Sequence, residues 1–412
     1  MTSGRAPSET LPGRGFEPDF EPESLLAEAR KRTGLDDFGD PHFREPMERL
    51  LHSLGREARL TPAGRVAQRE RIIGSLVTRL SAEAFIGRHP EIEAERLEAP
   101  LVIVGPTRSG TTRLHRMLSV DPRHQTVLWW ENRSPVPIPG TDWRRLDPRI
   151  DEAREEVRQV LTAAPQMKAI HPWDPLGPDE DALLCEHAFL SYVPESSVHV
   201  PSYRDWMQDQ DVTPAYRYLA RMLRILQWQK RERGERGSRW VLKTPQHLGF
   251  IEAFDRVFPD ARIVQTHRDP LAAVPSAASM YSTLWRITSN DVDLAAVGRQ
   301  CRDRLELDLG RFLAYRRRRE QVDPEAVFDV WFDDMERDPI APIERLHAWL
   351  GTPWLPETRS GLERWLVENA REKRPPHRYG FETFGLARED LERRFADYRE
   401  RFILSRRGAW AS

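Results

Sequence analysis

The sequence predicts an α/β fold: a three-layer arrangement with a central parallel sheet, a helical extension ahead of it and helical insertions within it. Three observations carry this. Short apolar runs, at Leu101 to Val104, Trp240 to Leu242 and Ala261 to His267, each end in a polar loop followed by a helical stretch. Strands alternating with helices imply parallel crossovers and a sheet covered on both faces. The first of these loops, GPTRSGTT, has Gly105 and Gly110 bracketing four residues, the glycine spacing of a P-loop, which cradles phosphate. No repeat or long low-complexity linker divides the 412 residues, so one α/β domain with insertions accounts for the chain better than two independent domains.

In chain order, residues 1–22 read as a disordered leader, polar and broken by Pro and Gly. Residues 23–98 read as a helical extension. Its first helix covers Pro22 to about Arg32, the second starts with Asp40 as cap and Pro41 at the first helical position, and the third starts likewise with Thr61 and Pro62. The third helix carries Val66, Ile72, Ile73, Leu76, Val77, Leu80 and Phe85 at helical spacing, so one face is buried. Residues 99–412 form the α/β domain. Leu101 to Val104 is its first strand, Thr111 to Leu118 the helix after the loop, and Trp240 to Leu242 a strand running into KTPQH and a helix from Leu248 to Phe258. Ala261 to His267 is a strand ending at HRDP, and Ala326 to Phe332 is another. The insertions include a helix capped by Thr213 and Pro214 and a long one from about Asp291 to Glu320. Ligands of open parallel sheets bind beyond the carboxyl ends of the strands, where GPTRSGTT, KTPQH and HRDP converge.

Composition narrows the function class. With 63 basic and 65 acidic residues the formal net charge is −2, which provides no nucleic-acid-sized basic field. No basic region followed by an apolar run opens the chain, and no segment approaches the roughly 18 apolar residues of a membrane span. The two cysteines, Cys185 and Cys301, make no disulfide framework and lack metal-ligand spacing. The expectation is a cytoplasmic enzyme or binding protein without nucleic-acid partners.

The loop itself says more. A nucleoside triphosphatase has lysine directly after the second glycine; here that residue is Thr111, and an arginine, Arg108, stands inside the loop. Backbone N–H groups at the following helix N-terminus, with the helix dipole, favour an anion. Arg268 directly follows a buried strand and Ser276 comes eight residues later, a pair able to hold a second phosphate. Lys243 ends a strand in a chain with only five lysines. Glu131 lies beside Trp129 and Trp130 in LWWENRSPVP, where desolvation favours a base. His115, His171 and His247 read first as structural or lining residues, with His171 and His247 as reserve bases. The acidic GPDED run reads as a solvated turn.

PTRSGTT together with RDPLAAVPS resembles the two phosphate motifs of the sulfotransferases that use 3′-phosphoadenosine 5′-phosphosulfate. It is most similar to the branch, including the protein-tyrosine sulfotransferases, whose loop reads PRSGTT. The resemblance runs from about Pro100 to the C-terminus. It implies that Thr107, Arg108, Ser109, Gly110, Thr111 and Thr112 hold the 5′-phosphosulfate and that Arg268 and Ser276 hold the 3′-phosphate. It further implies that Lys243 contacts the sulfuryl or bridging oxygen, and that Glu131 is the base that deprotonates a hydroxyl acceptor. A sulfuryl group carries less charge than a γ-phosphoryl group, so neither a metal nor the missing lysine is required. One position departs from the pattern: Phe332, in VWFDDM, replaces a tyrosine of the tyrosine sulfotransferases. The segment HRYGFETFGL, with Arg378 and Tyr379, is a candidate lid over the nucleotide. The acceptor expected is a small molecule, lipid or glycoside. Trp173, Tyr203, Trp206 and Trp285 would line its pocket or belong to the core. The alternatives are a P-loop kinase or nucleoside triphosphatase, which would turn over ATP with Mg²⁺, and an inactive nucleotide-binding protein.

Overall fold

Five parallel strands form the sheet: β1 (Leu101–Val104), β2 (His124–Gln125), β3 (Arg239–Lys243), β4 (Arg262–His267) and β5 (Val327–Trp331), in the order β2-β3-β1-β4-β5. The computed structural model describes residues 19–163, 165, 173–370 and 380–406. After β1 the chain travels outward to β2 and β3, then crosses to β4 on the other side of β1. This leaves a switch point at the carboxyl end of the central strand.

Strand alternation sorts the sheet into two cores. Val102, Val104, Leu242, Ile263 and Val327 face a large cluster, while Leu101, Ile103, Val241, Val264 and Val330 face a smaller one. Because both faces are covered, the strands read in sequence as continuous apolar runs. The smaller cluster is completed by Leu114, Met117 and Leu118 from the helix Thr111–Leu118, which therefore lies fixed against the sheet below the loop.

The N-terminal helices, Pro22–Thr33, Arg44–Arg56 and Pro62–Arg88, begin close to where the sequence places them. Thr61 Oγ1 accepts the Gly64 N–H at 3.0 Å, whereas Asp40 caps a short 3₁₀ turn, Pro41–Phe43, ahead of the second helix. Leu25, Leu26, Ile72, Leu76 and Leu80 belong to the same contiguous core as Val102 and Val104. Arg79 ties them in: its buried guanidinium donates to Phe38 O at 3.0 Å, Asp40 O at 2.8 Å and His187 O at 3.1 Å.

Some elements differ from expectation. The helix expected over Leu248 to Phe258 is two, Gln246–Gly249 and Ile251–Val257, with a non-helical Phe250 between them. Phe332 leaves β5 and opens the helix Phe332–Arg337. Thr213 is the first residue of the helix Thr213–Glu232 instead of its cap, and Asp211, two residues earlier, accepts the Thr213 N–H at 3.0 Å. The two-residue β2 has no apolar run to announce it. Among the described residues no helix is long and apolar enough to cross a membrane. The candidate lid residues Arg378 and Tyr379, and His171, lie outside the described residues.

Candidate active site

The loop is braced from below. A Cβ on Gly105 would collide with Thr266 Oγ1 and lie 2.8 Å from the Thr266 carbonyl oxygen, so glycine lets β1 and β4 close on each other. Ser109 Oγ bonds Pro106 O at 2.6 Å and meets Thr266 Oγ1 at 2.6 Å, and its N–H donates to Pro106 O at 3.0 Å. Ser109 was expected at the phosphate; the structure turns both its side chain and its N–H into the loop, where it acts as a brace. The first bond of the following helix runs from Leu114 N to Gly110 O at 3.0 Å. The N–H groups of Thr111, Thr112 and Arg113 therefore precede the helical ladder at the loop mouth.

Arg108 has φ 73°, a left-handed conformation that is uncommon for a side chain of this size. Ser276 and Arg268 both contact it. Its Nε donates to Ser276 Oγ at 3.3 Å, and Arg268 donates through Nη1 to the Arg108 carbonyl oxygen at 2.6 Å. Ser276 lies one residue after Pro275 in the helix Pro270–Thr288, which Asp269 caps through the Leu271 N–H at 3.1 Å. The fold thus joins PTRSGTT and RDPLAAVPS through direct contacts. Phe332 contributes more than a lost hydroxyl, because the Arg268 guanidinium lies 4.3 Å over its ring centroid. The C-terminal segment braces the same corner: Arg399 Nε donates to Asp269 at 3.0 Å, and Tyr398 meets His267 Nδ1 at 3.0 Å.

Lys243 is 1% exposed at the end of β3, and its Nζ donates to Thr112 Oγ1 at 3.2 Å. It also donates to Glu180 Oε1 at 2.6 Å, while its backbone N–H donates to Asp181 Oδ1 at 2.8 Å. The GPDED run is therefore no solvated turn. Pro178 bridges to Leu128, Asp179 N donates to Val127 O at 2.9 Å, and the Asn132 side chain donates to Glu180 O.

Glu131 is placed differently from its expected role. Its side chain is 0% exposed; Oε1 receives Lys230 Nζ at 2.7 Å and Arg233 Nη2 at 3.3 Å, and Oε2 receives the Leu128 N–H at 3.0 Å. Of the histidines, His247 is fully buried, 2.9 Å from Asp181 Oδ2 and 3.1 Å from Tyr216 OH. His115 lies 3.0 Å from Val241 O, and burial holds its pKa down at about 3. Both histidines are buried.

Beside the loop, Gly105, Thr107 and Pro245 border a small cleft of about 30 Å³ that opens to solvent. Leu248, Ala277 and Tyr281 line its apolar walls, with Arg304 and Asp308 at its polar side. Arg304 pairs with Glu195 at 2.8 and 3.0 Å, and Tyr192 OH donates to Asp308 at 2.9 Å. Burial pushes the Asp308 carboxyl up to about 7, against the lowering effect of Arg304. Of the two places open to the four aromatics, pocket or core, they pack with the hydrophobic clusters. Tyr203 OH donates to Phe189 O at 2.7 Å within the core, Trp285 Nε1 donates to Glu195 O at 3.2 Å, Trp206 stands near Arg49, and Trp173 packs by Trp129.

A glycine-bounded loop at the end of the central strand thus meets an arginine at the end of the neighbouring one, at the carboxyl edge of a parallel sheet. Residues 100–356 match the Sulfotransferase family, and the chain belongs to that family. It is similar to the solved sulfotransferase STF9 of Mycobacterium avium, with TM-score 0.84 and 29% identity over 94% of this chain and 98% of that one. The sulfotransferase STF1 of Mycobacterium tuberculosis gives TM-score 0.79 and 30% identity over 91% and 98%. A curated relative, the omega-hydroxy-beta-dihydromenaquinone-9 sulfotransferase Stf3 of Mycobacterium bovis, is 26% identical over 62% of this chain. The match spans 63% of that relative's length.

Proposed function

We propose that the protein transfers a sulfuryl group from 3′-phosphoadenosine 5′-phosphosulfate to a hydroxyl of a small apolar or lipid-like acceptor. The observation that carries this is the pair of anion sites locked together by the Arg108–Ser276 and Arg268–Arg108 contacts. In this reading the N–H groups and hydroxyls of Thr111 and Thr112 hold the 5′-phosphate. Thr107 and Gly110 shape the loop mouth, and Arg108 and Lys243 stabilise charge on the sulfuryl and departing phosphate oxygens. Arg268 and Ser276 receive the 3′-phosphate, with the Arg268 guanidinium 4.3 Å over the Phe332 ring centroid. The residues bordering the loop fit an anionic donor, and the chemistry this donor supplies is an activated sulfuryl group. An apolar alcohol suits the walls of the adjoining cavity, and the curated relative's name denotes an omega-hydroxy quinone derivative.

Calorimetric titration with adenosine 3′,5′-bisphosphate and with AMP tests the donor assignment. The bisphosphate is expected to bind at least about tenfold tighter, the worth of one added charge-assisted contact, and Arg268→Ala should erase the difference. Equal binding of the two nucleotides by the wild-type chain overturns the reading, and Mg²⁺-dependent ATP turnover would move the protein to the kinase or nucleoside triphosphatase class.

A further inference from the structure

The geometry points to Glu180 as the group that takes the acceptor's proton, paired with Lys243 at the loop mouth. The inference rests on the sulfuryl-transfer reading above and names a catalytic residue within it.

A general base must stand within hydrogen-bond reach of the acceptor oxygen, near the atoms that react. Glu180 Oε1 is 2.6 Å from Lys243 Nζ, and the same Nζ is 3.2 Å from Thr112 Oγ1, so the carboxylate lies two hydrogen bonds from the helix start that borders the phosphate loop. Its side chain is 30% exposed while Lys243 is 1% exposed; the carboxylate is the part of the pair that an incoming molecule can touch. The backbone beneath it is fixed. Bonds from Asp179 N to Val127 O and from Lys243 N to Asp181 Oδ1, with the Asn132 contact to Glu180 O, hold this segment against the carboxyl end of β3. A base on such a support keeps its distance to the reacting atoms. Glu131 lacks this access, being 0% exposed with both oxygens engaged by Lys230, Arg233 and the Leu128 N–H.

Lysine carries three donors on a flexible stem. Lys243 can therefore keep Thr112 and Glu180 while offering a third N–H to the bridging oxygen of the donor. The step then balances. The acceptor O–H bond breaks and its proton passes to a Glu180 carboxylate oxygen as the acceptor oxygen bonds to sulfur. The sulfur bond to the bridging oxygen breaks, and its electron pair stays on the 5′-phosphate, whose new charge faces Lys243. The sulfate ester and adenosine 3′,5′-bisphosphate leave, and Glu180 returns its proton to water.

The test compares the full-length wild type with E180Q, E180D and E131Q, using sulfur-labelled donor and two acceptors, octanol and p-nitrophenol. Octanol needs a base, whereas p-nitrophenol is already partly ionised near neutral pH. E180Q is expected to lower kcat for octanol by about a hundredfold or more, with a much smaller loss for p-nitrophenol. Binding of adenosine 3′,5′-bisphosphate should stay within about threefold of wild type, because nucleotide contacts are untouched. E180D should regain part of the octanol rate, and E131Q should not show the acceptor-dependent split. Wild-type octanol turnover by E180Q overturns the inference, as does an equal loss on both acceptors, which would mark Glu180 as merely holding Lys243. Failure of the wild type to bind the bisphosphate instead overturns the sulfuryl-transfer reading, and this inference with it.

Discussion

Glu131 and Glu180 show how one residue type acquires opposite surroundings, the first sealed and the second partly exposed. Glu131 sits in LWWENRSPVP, where flanking tryptophans and the family resemblance both suggest a base, and its carboxylate is instead closed by Lys230 at 2.7 Å and by Arg233. Removing one partner of a buried pair leaves the other charge without compensation. Glu131→Gln is therefore expected to cost roughly 3 to 5 kcal/mol in urea unfolding, while the fraction that stays folded keeps its turnover number. A normal unfolding midpoint with lost turnover would return the base role to Glu131. The placement of Arg108, Lys243, Arg268 and Ser276 at one end of the sheet was legible because local sequence fixes it: a loop, two strand ends, and a helix starting at a capped proline. Glu180 was not legible. Its contacts come from residues 132 and 243, and no local pattern in GPDED records that a strand end lies beside it.

At the scale of elements, the phosphate loop depends on β4 as much as on its own glycines. Gly105 lies against Thr266, and Ser109 braces the turn from within. Gly105→Ala places a methyl group against both the hydroxyl and the carbonyl oxygen of Thr266, and a backbone atom cannot rotate away. The substitution is expected to destabilise by about 1 to 3 kcal/mol through overpacking and to weaken bisphosphate binding more than tenfold, measured by calorimetry on the folded protein. Unchanged affinity would mean that the loop does not need its close approach to β4. The strand-loop-helix order could be read because apolar runs and cap residues are local signals. The break at Phe250 and the two-residue β2 could not. The first lies inside a helical pattern, and the second forms only because β3 offers it an edge, pairing His124 with Arg239.

For the whole molecule, burying polar groups in a large core sets a pH dependence. Burial holds His115 and His187 at about pKa 3, against about 6.5 in an unfolded chain. Below that unfolded value the unfolded state binds more protons, so the contribution of these histidines is full above about pH 6.5 and is lost as pH falls toward 3, at about 1.4 kcal/mol per pH unit for each group. Asp308 runs the other way. Its raised value of about 7 means that its contribution is present below its unfolded pKa and lost as pH rises through neutrality. Both ring nitrogens of His187 are buried without a hydrogen-bond partner among the described residues. His187→Leu should therefore shift Tm at pH 8 by no more than a few degrees and make the drop between pH 6.5 and 5 shallower. An unaltered acid slope in thermal melts would remove His187 from this account.

By itself the sequence determined every strand of the sheet but β2, the glycine loop without its lysine, and the RDPLAAVPS motif after β4. Each is written in a few consecutive residues, and each follows from local periodicity, caps and glycine spacing. The tertiary structure decided which charges are sealed and which stay open beside the loop. Arg268 lies on Phe332, Ser109 is folded into the loop, Glu131 is sealed by Lys230, and Glu180 is brought to Lys243. Exposure and pairing of a charge depend on which distant residues the sheet order brings beside it, and those neighbours are far apart in the chain.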